Sequence, residues 1–372
     1  MARVALSQRI ATSLILVLLA VGALAAPALA GEPGAPLGGD SVQVRLQAVD
    51  KALAWMAAAQ GTDGGFGVDG SSDLLSTALA VQAFLARGQD AADLEAGGSG
   101  AADYLAAQAG SVGSDAYLAA QMALAAVALG QDPASFAGQD WLARLEAARQ
   151  PDGRYASAAA GAVETQAAAF LALRAGYWPV PAQALNWLRG AAQPDGGWGV
   201  SAAGPSDAYH TGLALWAARL AGEPAGSPLV RDAVEYLRGQ RSADGGFGAA
   251  GDARATAAAT LGLLAAGEDL LGDAWSAEGW TPFDALLAMQ RGDGAFLSPA
   301  TGEPDIAATL AGVRGLMGRT GAPRHRLTAA GRAVEWLHTQ QCQNNAACGL
   351  DGSFGPGNTT SDASVAIAAV GQ

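Results

Sequence analysis

One phrase recurs along this chain, and its period limits what the chain can fold into. It first reads Gln60-Gly61-Thr62-Asp63-Gly64-Gly65-Phe66-Gly67. It returns as Gln150-Pro151-Asp152-Gly153-Arg154-Tyr155 and, most clearly, as Gln193-Pro194-Asp195-Gly196-Gly197-Trp198-Gly199. Later copies pair Gln240 with Asp244-Gly245-Gly246-Phe247-Gly248, and Gln290 with Asp293-Gly294-Ala295-Phe296. The last pairs Gln341 with Asp351-Gly352-Ser353-Phe354-Gly355, and a degenerate copy lies at Gln108. Successive glutamines are 42 to 51 residues apart, the length of two helices and two loops.

Each phrase sits between two unlike helical patterns. Before it runs an amphipathic segment such as Val44 to Ala59, Trp141 to Arg149, Ala182 to Ala192, Val230 to Gly239 or Arg332 to Thr339. There apolar residues recur at three and four, as on a helix with one wet face. After it runs a segment apolar on nearly every side. These are Thr77 to Leu85, Tyr117 to Leu129, Thr165 to Leu173, Thr211 to Leu220, Thr256 to Ala265 and Ile306 to Met317. A helix apolar all round is buried all round. Alternation of the two kinds predicts two layers, with inner helices in a ring and outer helices around it. Closure or capping removes the exposed ends of such an array.

The phrase has a structural mechanism of its own. Gly-Gly permits positive φ where the chain reverses, and the Asp side chain can bond the backbone just downstream. The aromatic folds back onto the hairpin, and the Gln amide can satisfy free helix-end groups. None of these residues is assigned a catalytic role.

Residues 1–30 are set apart. Arg3 and Arg9 precede an apolar run from Ile10 to Ala26, and Ala28-Leu29-Ala30 forms a small-residue cleavage pattern. This predicts a signal peptide, removed on export, followed by a short flexible segment over 31–40 and a repeat domain over 41–372. A secreted or extracytoplasmic location follows, with no stable membrane insertion after cleavage. The formal net charge of −13 argues against a nucleic-acid partner, which would need basic patches. Cys342 and Cys348 are predicted to form a disulfide across a very short loop, as suits an exported protein.

The phrase Gln-x-x-Asp-Gly-Gly-Trp-Gly after an outer helix resembles the repeat of squalene and hopene cyclases and that of protein prenyltransferase β subunits. The resemblance covers almost all of the chain after residue 30. It implies an all-α fold, an α/α toroid of six or seven helical hairpins. The family's chemistry is then sought residue by residue. Class II terpene cyclases protonate an alkene through D-x-D-D, and class I enzymes hold magnesium through D-D-x-x-D. No Asp-Asp pair exists here. Prenyltransferase β subunits hold zinc through a D-x-C element and a later His. Asp207-Ala208-Tyr209-His210-Thr211 is similar to the family's D-x-Y-H-T, but Asp152-Gly153-Arg154 has Arg where the thiolate should stand. No metal site and no cofactor are therefore predicted. The thioester motif of complement-like relatives is also missing.

Acids stand at or just before every inner helix: Asp73, Asp115, Glu164, Asp207, Asp252, Asp305 and Asp362. Their plain role is N-capping. In a ring they would also gather at one mouth. The candidate ligand-binding residues at that mouth are Asp115, Tyr117, Asp207, Tyr209, His210 and Asp305. The function expected is that of an exported, non-catalytic ligand-binding or scaffold protein. The partner expected is a small molecule: apolar, isoprenoid or corrinoid. The alternatives are a cyclase or prenyltransferase-like enzyme with unrecognised catalytic residues, and a polysaccharide-active enzyme on the same ring. A glycosidase would show two carboxylates about 5–10 Å apart.

Overall fold

A computed structural model describes residues 36–325, apart from residue 69. Helices α1 (Val42–Ala58) and α2 (Leu74–Arg87) make the first hairpin, and α3 (Ala101–Gln108) and α4 (Ala116–Ala128) the second. Next come α5 (Trp141–Ala147) with α6 (Ala162–Ala175), and α7 (Ala182–Gly190) with α8 (Ala208–Leu220). Then follow α9 (Pro228–Gln240) with α10 (Ala253–Ala266), and α11 (Pro282–Met289) with α12 (Ile306–Met317). A two-residue antiparallel pair, Glu95–Ala96 with Ser99–Gly100, is the only named sheet among the described residues.

The two helix types behave as their patterns require. Outer helix α9 buries Val230, Ala233, Val234 and Leu237, one stripe at three-and-four spacing. Inner helix α4 buries every residue except Leu118. Each even-numbered helix packs on the next, and α12 packs on α2, so six inner helices close a ring. The six odd-numbered helices surround it, with α11 reaching α1. The fold is an α/α toroid. A seventh hairpin, with Gln341 and Asp362, lies outside the described residues, as do residues 1–30 and the Cys342–Cys348 pair.

The repeated phrase works as a clamp. The Asp Oδ1 accepts from the backbone two residues on in five copies: Asp63 from Gly65, Asp152 from Arg154, Asp195 from Gly197, Asp244 from Gly246 and Asp293 from Ala295. The aromatics Phe66, Tyr155, Trp198, Phe247 and Phe296 are all buried. Burying each is worth roughly 1.5–3 kcal/mol. Their backbone NH groups then tie the turn to the inner helix. Phe66 donates to Thr77 Oγ1, Trp198 to Thr211, Phe247 to Thr256 and Phe296 to Thr309. Each threonine is the fourth residue of its helix. Three of these inner helices, α2, α8 and α10, therefore start three residues earlier than the apolar runs from Thr77, Thr211 and Thr256 suggest, while α12 starts at Ile306 as its run does. The first turn is set by the Asp cap and not by hydrophobicity.

Closure uses the same clamp between the last hairpin and the first. Gly294 has φ +102°, and a Cβ there would lie 2.2 Å from the Lys51 carbonyl of α1. Gly196 repeats the geometry two junctions earlier, with φ +87° and Asp232 of α9 as the neighbour. Only glycine meets both demands. Gln290 Nε2 donates to Ala48 O of α1 at 2.8 Å, sealing the junction. The flexible segment expected over 31–40 is anchored at its end: Gly39 N donates to the buried Asp284 Oδ1 of α11 at 2.8 Å. Asp284 also caps α11 with Thr281, so this stretch has a fixed partner that a local pattern does not show.

Candidate functional site

The inner helices enclose a cavity along the ring axis, with about 100 Å³ open to the centre of a water-sized sphere. Alanine and leucine side chains make most of its wall. Trp216 and the rings of Tyr117 and Tyr209 interrupt them, as do four other polar side chains: Gln121, Glu164, Arg254 and Arg314.

At one end, the first turns of four successive inner helices bring their side chains together. Tyr117, Glu164, Tyr209 and Arg254 are each the second or third residue of α4, α6, α8 and α10. Glu164 Oε1 accepts from Tyr209 Oη at 2.7 Å, from Arg254 Nη2 at 3.0 Å and from Tyr117 Oη at 3.5 Å. Arg254 also donates to Tyr209 Oη and lies over the Tyr209 ring, 4.6 Å from its centroid. Local sequence explains why Glu164 is available. The other described inner helices carry an Asp N-cap whose side chain bonds the helix backbone, but α6 is capped by Gly161 without a side-chain bond. Its acid is displaced into the helix and reaches the cavity.

The electrostatics of this end are self-contained. Burial, followed by the adjacent Glu164, holds the Tyr117 and Tyr209 hydroxyls well above the ordinary phenol range. Both therefore stay protonated and donate. Burial alone would lower the Arg254 guanidinium, but Tyr209 and Glu164 outweigh it and the net shift is upward. Glu164 acts as an acceptor to three donors.

The other end differs. Arg314 sits in the last turns of α12 and donates from Nη2 to Gln82 Oε1 at 2.7 Å. Gln82 Nε2 is occupied by Gln121 Oε1 at 3.0 Å and Ala78 O at 2.7 Å. The Trp216 ring centroid lies 6.0 Å from the guanidinium. Among the described residues no carboxylate pairs with Arg314; the ion pairs of the ring fall elsewhere. Burial lowers it to about 10, only partly offset by Tyr117 and Tyr209, so it is charged at neutral pH.

An axial cavity inside a ring of six described hairpins is the architecture on which the comparisons agree. The family described as prenyltransferase alpha-alpha toroid domain matches residues 36–355. The chain belongs to it. Among solved structures, this toroid is similar to the type II terpene cyclase MstE from Scytonema. A single-substitution variant with merosterolic acid A bound as product is 16% identical, with a TM-score of 0.53, over 75% of this chain and 98% of that one. The same cyclase without ligand is 17% identical, with a TM-score of 0.50, over 73% of this chain and 98% of that one. Another variant was solved with geranylgeranyl dihydroxybenzoate as substrate; it is 16% identical, with a TM-score of 0.50, over 75% of this chain and 98% of that one. At these identities the likeness concerns the fold alone. No curated protein sequence matches the toroid.

Of the six candidate mouth residues, Asp207, Tyr209 and His210 line one pocket together with Asp252 and Arg254. Tyr117 and Tyr209 line the axial cavity. Asp115, Asp207 and Asp305 do not; each caps its helix, accepting from Leu118, His210 and Ala308 respectively. Asp115 is further bonded by Ser157 Oγ and by the Ala158 and Ala159 NH groups. Burial would raise it, but these donors outweigh burial and hold it below its ordinary value. Asp207 is lowered too, because the His210 ring and backbone offset its burial. His210 lies behind Tyr209, edge-on at 5.0 Å, with Nδ1 2.7 Å from Asp207 Oδ2. Asp73, Asp115, Asp207, Asp252 and Asp305 thus each cap an inner helix, and Glu164 alone of the described acids does not. No group of three or more His, Cys, Asp or Glu that could hold a metal occurs among the described residues. Among the described residues, Glu164 is the one carboxylate on the cavity wall.

Arg254, Arg314 and the Gln82–Gln121 pair were not expected from the sequence. Their signal was present: an isolated charge or amide inside a helix otherwise apolar on every face.

Proposed function

We propose that this toroid is an exported, non-catalytic binding protein for a small apolar molecule held along the ring axis. The observation that carries this reading is the state of Glu164. Alkene protonation needs a carboxyl group free to give up a proton. The single carboxylate on this cavity wall is instead an acceptor for a guanidinium and two phenols. The apolar remainder of the wall suits a hydrocarbon, and its narrow bore suits a slender chain better than a corrinoid. The Scytonema cyclase, solved with geranylgeranyl dihydroxybenzoate bound, supports the isoprenoid class for a related ring.

Native mass spectrometry of the chain recovered from the exported fraction of its host tests this, paired with incubation with geranylgeraniol and geranylgeranyl diphosphate. The expected result is one bound apolar molecule per chain and unchanged substrates. A cyclised or transferred product, lost in Glu164→Gln, would overturn it in favour of a cyclase or transferase.

A further inference from the structure

The cavity contains two cations and one anion. Glu164 and Arg254 neutralise each other at the end where the inner helices start. Among the described residues Arg314 has no such partner. A guanidinium offers five donors, and the bond to Gln82 uses one. Gln121 and Ala78 hold the Gln82 amide so that its carbonyl faces Arg314, which fixes the guanidinium in place. A helix C-terminus favours a cation, and this accounts for Arg319, which donates to Ala86 O of α2. It does not account for Arg314, whose bond goes to a side-chain amide.

A second compartment adjoins this end. Trp216 and Arg314 line both spaces, and Arg319 and Arg324 join them in the second. Arg324 stacks on Tyr177 at 4.3 Å. None of these three arginines has a carboxylate partner among the described residues, in a chain with a net charge of −13. Arg319 and Arg324 are exposed and carry no such demand; Arg314, part-buried on the cavity wall, is the cation that an anionic group would complete.

We infer that Arg314 is the anion-binding group of the cavity, holding the oxyanion head of an amphiphile whose hydrocarbon chain lies toward Glu164. The inference rests on the binding reading above and adds a ligand class and an orientation. The head is a carboxylate or a phosphate, both of which accept from a guanidinium in the same way.

Calorimetric titration of the purified chain with dodecanoate, dodecyl phosphate and dodecan-1-ol tests it, because the tail is constant and only the head changes. The expected result is that at least one anion binds tenfold or more tighter than the alcohol, the tighter of the two naming the head. In Arg314→Gln that preference collapses, the anions losing far more affinity than the alcohol, and Arg314→Lys keeps part of it. Equal affinity for alcohol and anions in the unaltered chain overturns the assignment without any variant. So does an anion preference that survives in Arg314→Gln. Binding of the alcohol without anion preference leaves the apolar-cavity reading intact, whereas failure of all three to bind removes both.

Discussion

The two ends of the axial cavity use the same residue types with opposite results. Where the inner helices start, Arg254 meets Glu164 at 3.0 Å and two phenols complete the set. Where they finish, Arg314 meets an amide and an indole and, among the described residues, no carboxylate. The first arrangement is closed: each charge is answered inside the protein. The second leaves donor capacity directed at empty space. A ring of near-identical hairpins thus gains a polarity that its repeats lack, and any amphiphile entering it has a preferred direction.

Breaking the closed end should have the largest effect. Glu164→Leu leaves Arg254 partly buried without its counter-ion, and chemical denaturation should show a loss of about 2–3 kcal/mol. That is below the cost for a fully buried pair, because the two side chains keep 18% and 31% of their exposure. Changing the open end should do the reverse. Arg314→Met removes a part-buried charge without a carboxylate partner among the described residues, and the same measurement should show a gain of about 1 kcal/mol after the lost Gln82 bond is counted. If Arg314→Met instead destabilises, Arg314 is a structural residue and the contrast between the ends dissolves.

Two smaller changes sharpen the comparison at the closed end. Asp115→Ala removes a cap outside the cavity and should cost about 1 kcal/mol without altering any ligand affinity. Asp115 is held below its ordinary value of 3.8, so its contribution is present above that pH and is lost as pH falls through the lower folded value. The gap between Asp115→Ala and the unaltered chain should therefore narrow in acid thermal melts below about pH 4. Tyr117→Phe gives up only the 3.5 Å contact to Glu164, and thermal melts should register a few tenths of a kcal/mol.

Much of the fold was legible because it is local. The Asp63 and Asp195 side chains bond the backbone two residues away, and the Asp73 and Asp207 caps reach three residues. Interactions of that range follow from a short stretch of chain whatever surrounds it. The helix types were legible too, since one apolar stripe or apolarity all round is a property of a single segment. The candidate site was half legible. Tyr117 and Tyr209 reach the cavity, whereas Asp115, Asp207 and Asp305 turned out to serve their own helices.

What the sequence by itself determined, then, is the repeating unit: two helices, a clamped turn and a capped start. Only the tertiary structure decided that six inner helices suffice to close the ring, with Gly294 against Lys51. It alone paired Glu164 with Arg254, 90 residues away, and set Arg314 beside Gln82, 232 residues away. The physical reason lies in the inner helices themselves. A helix apolar on every face has no hydrophobic phase, so nothing in its pattern says which residues look inward. That is settled by how six such helices pack together, and the packing chose which few polar side chains share one cavity.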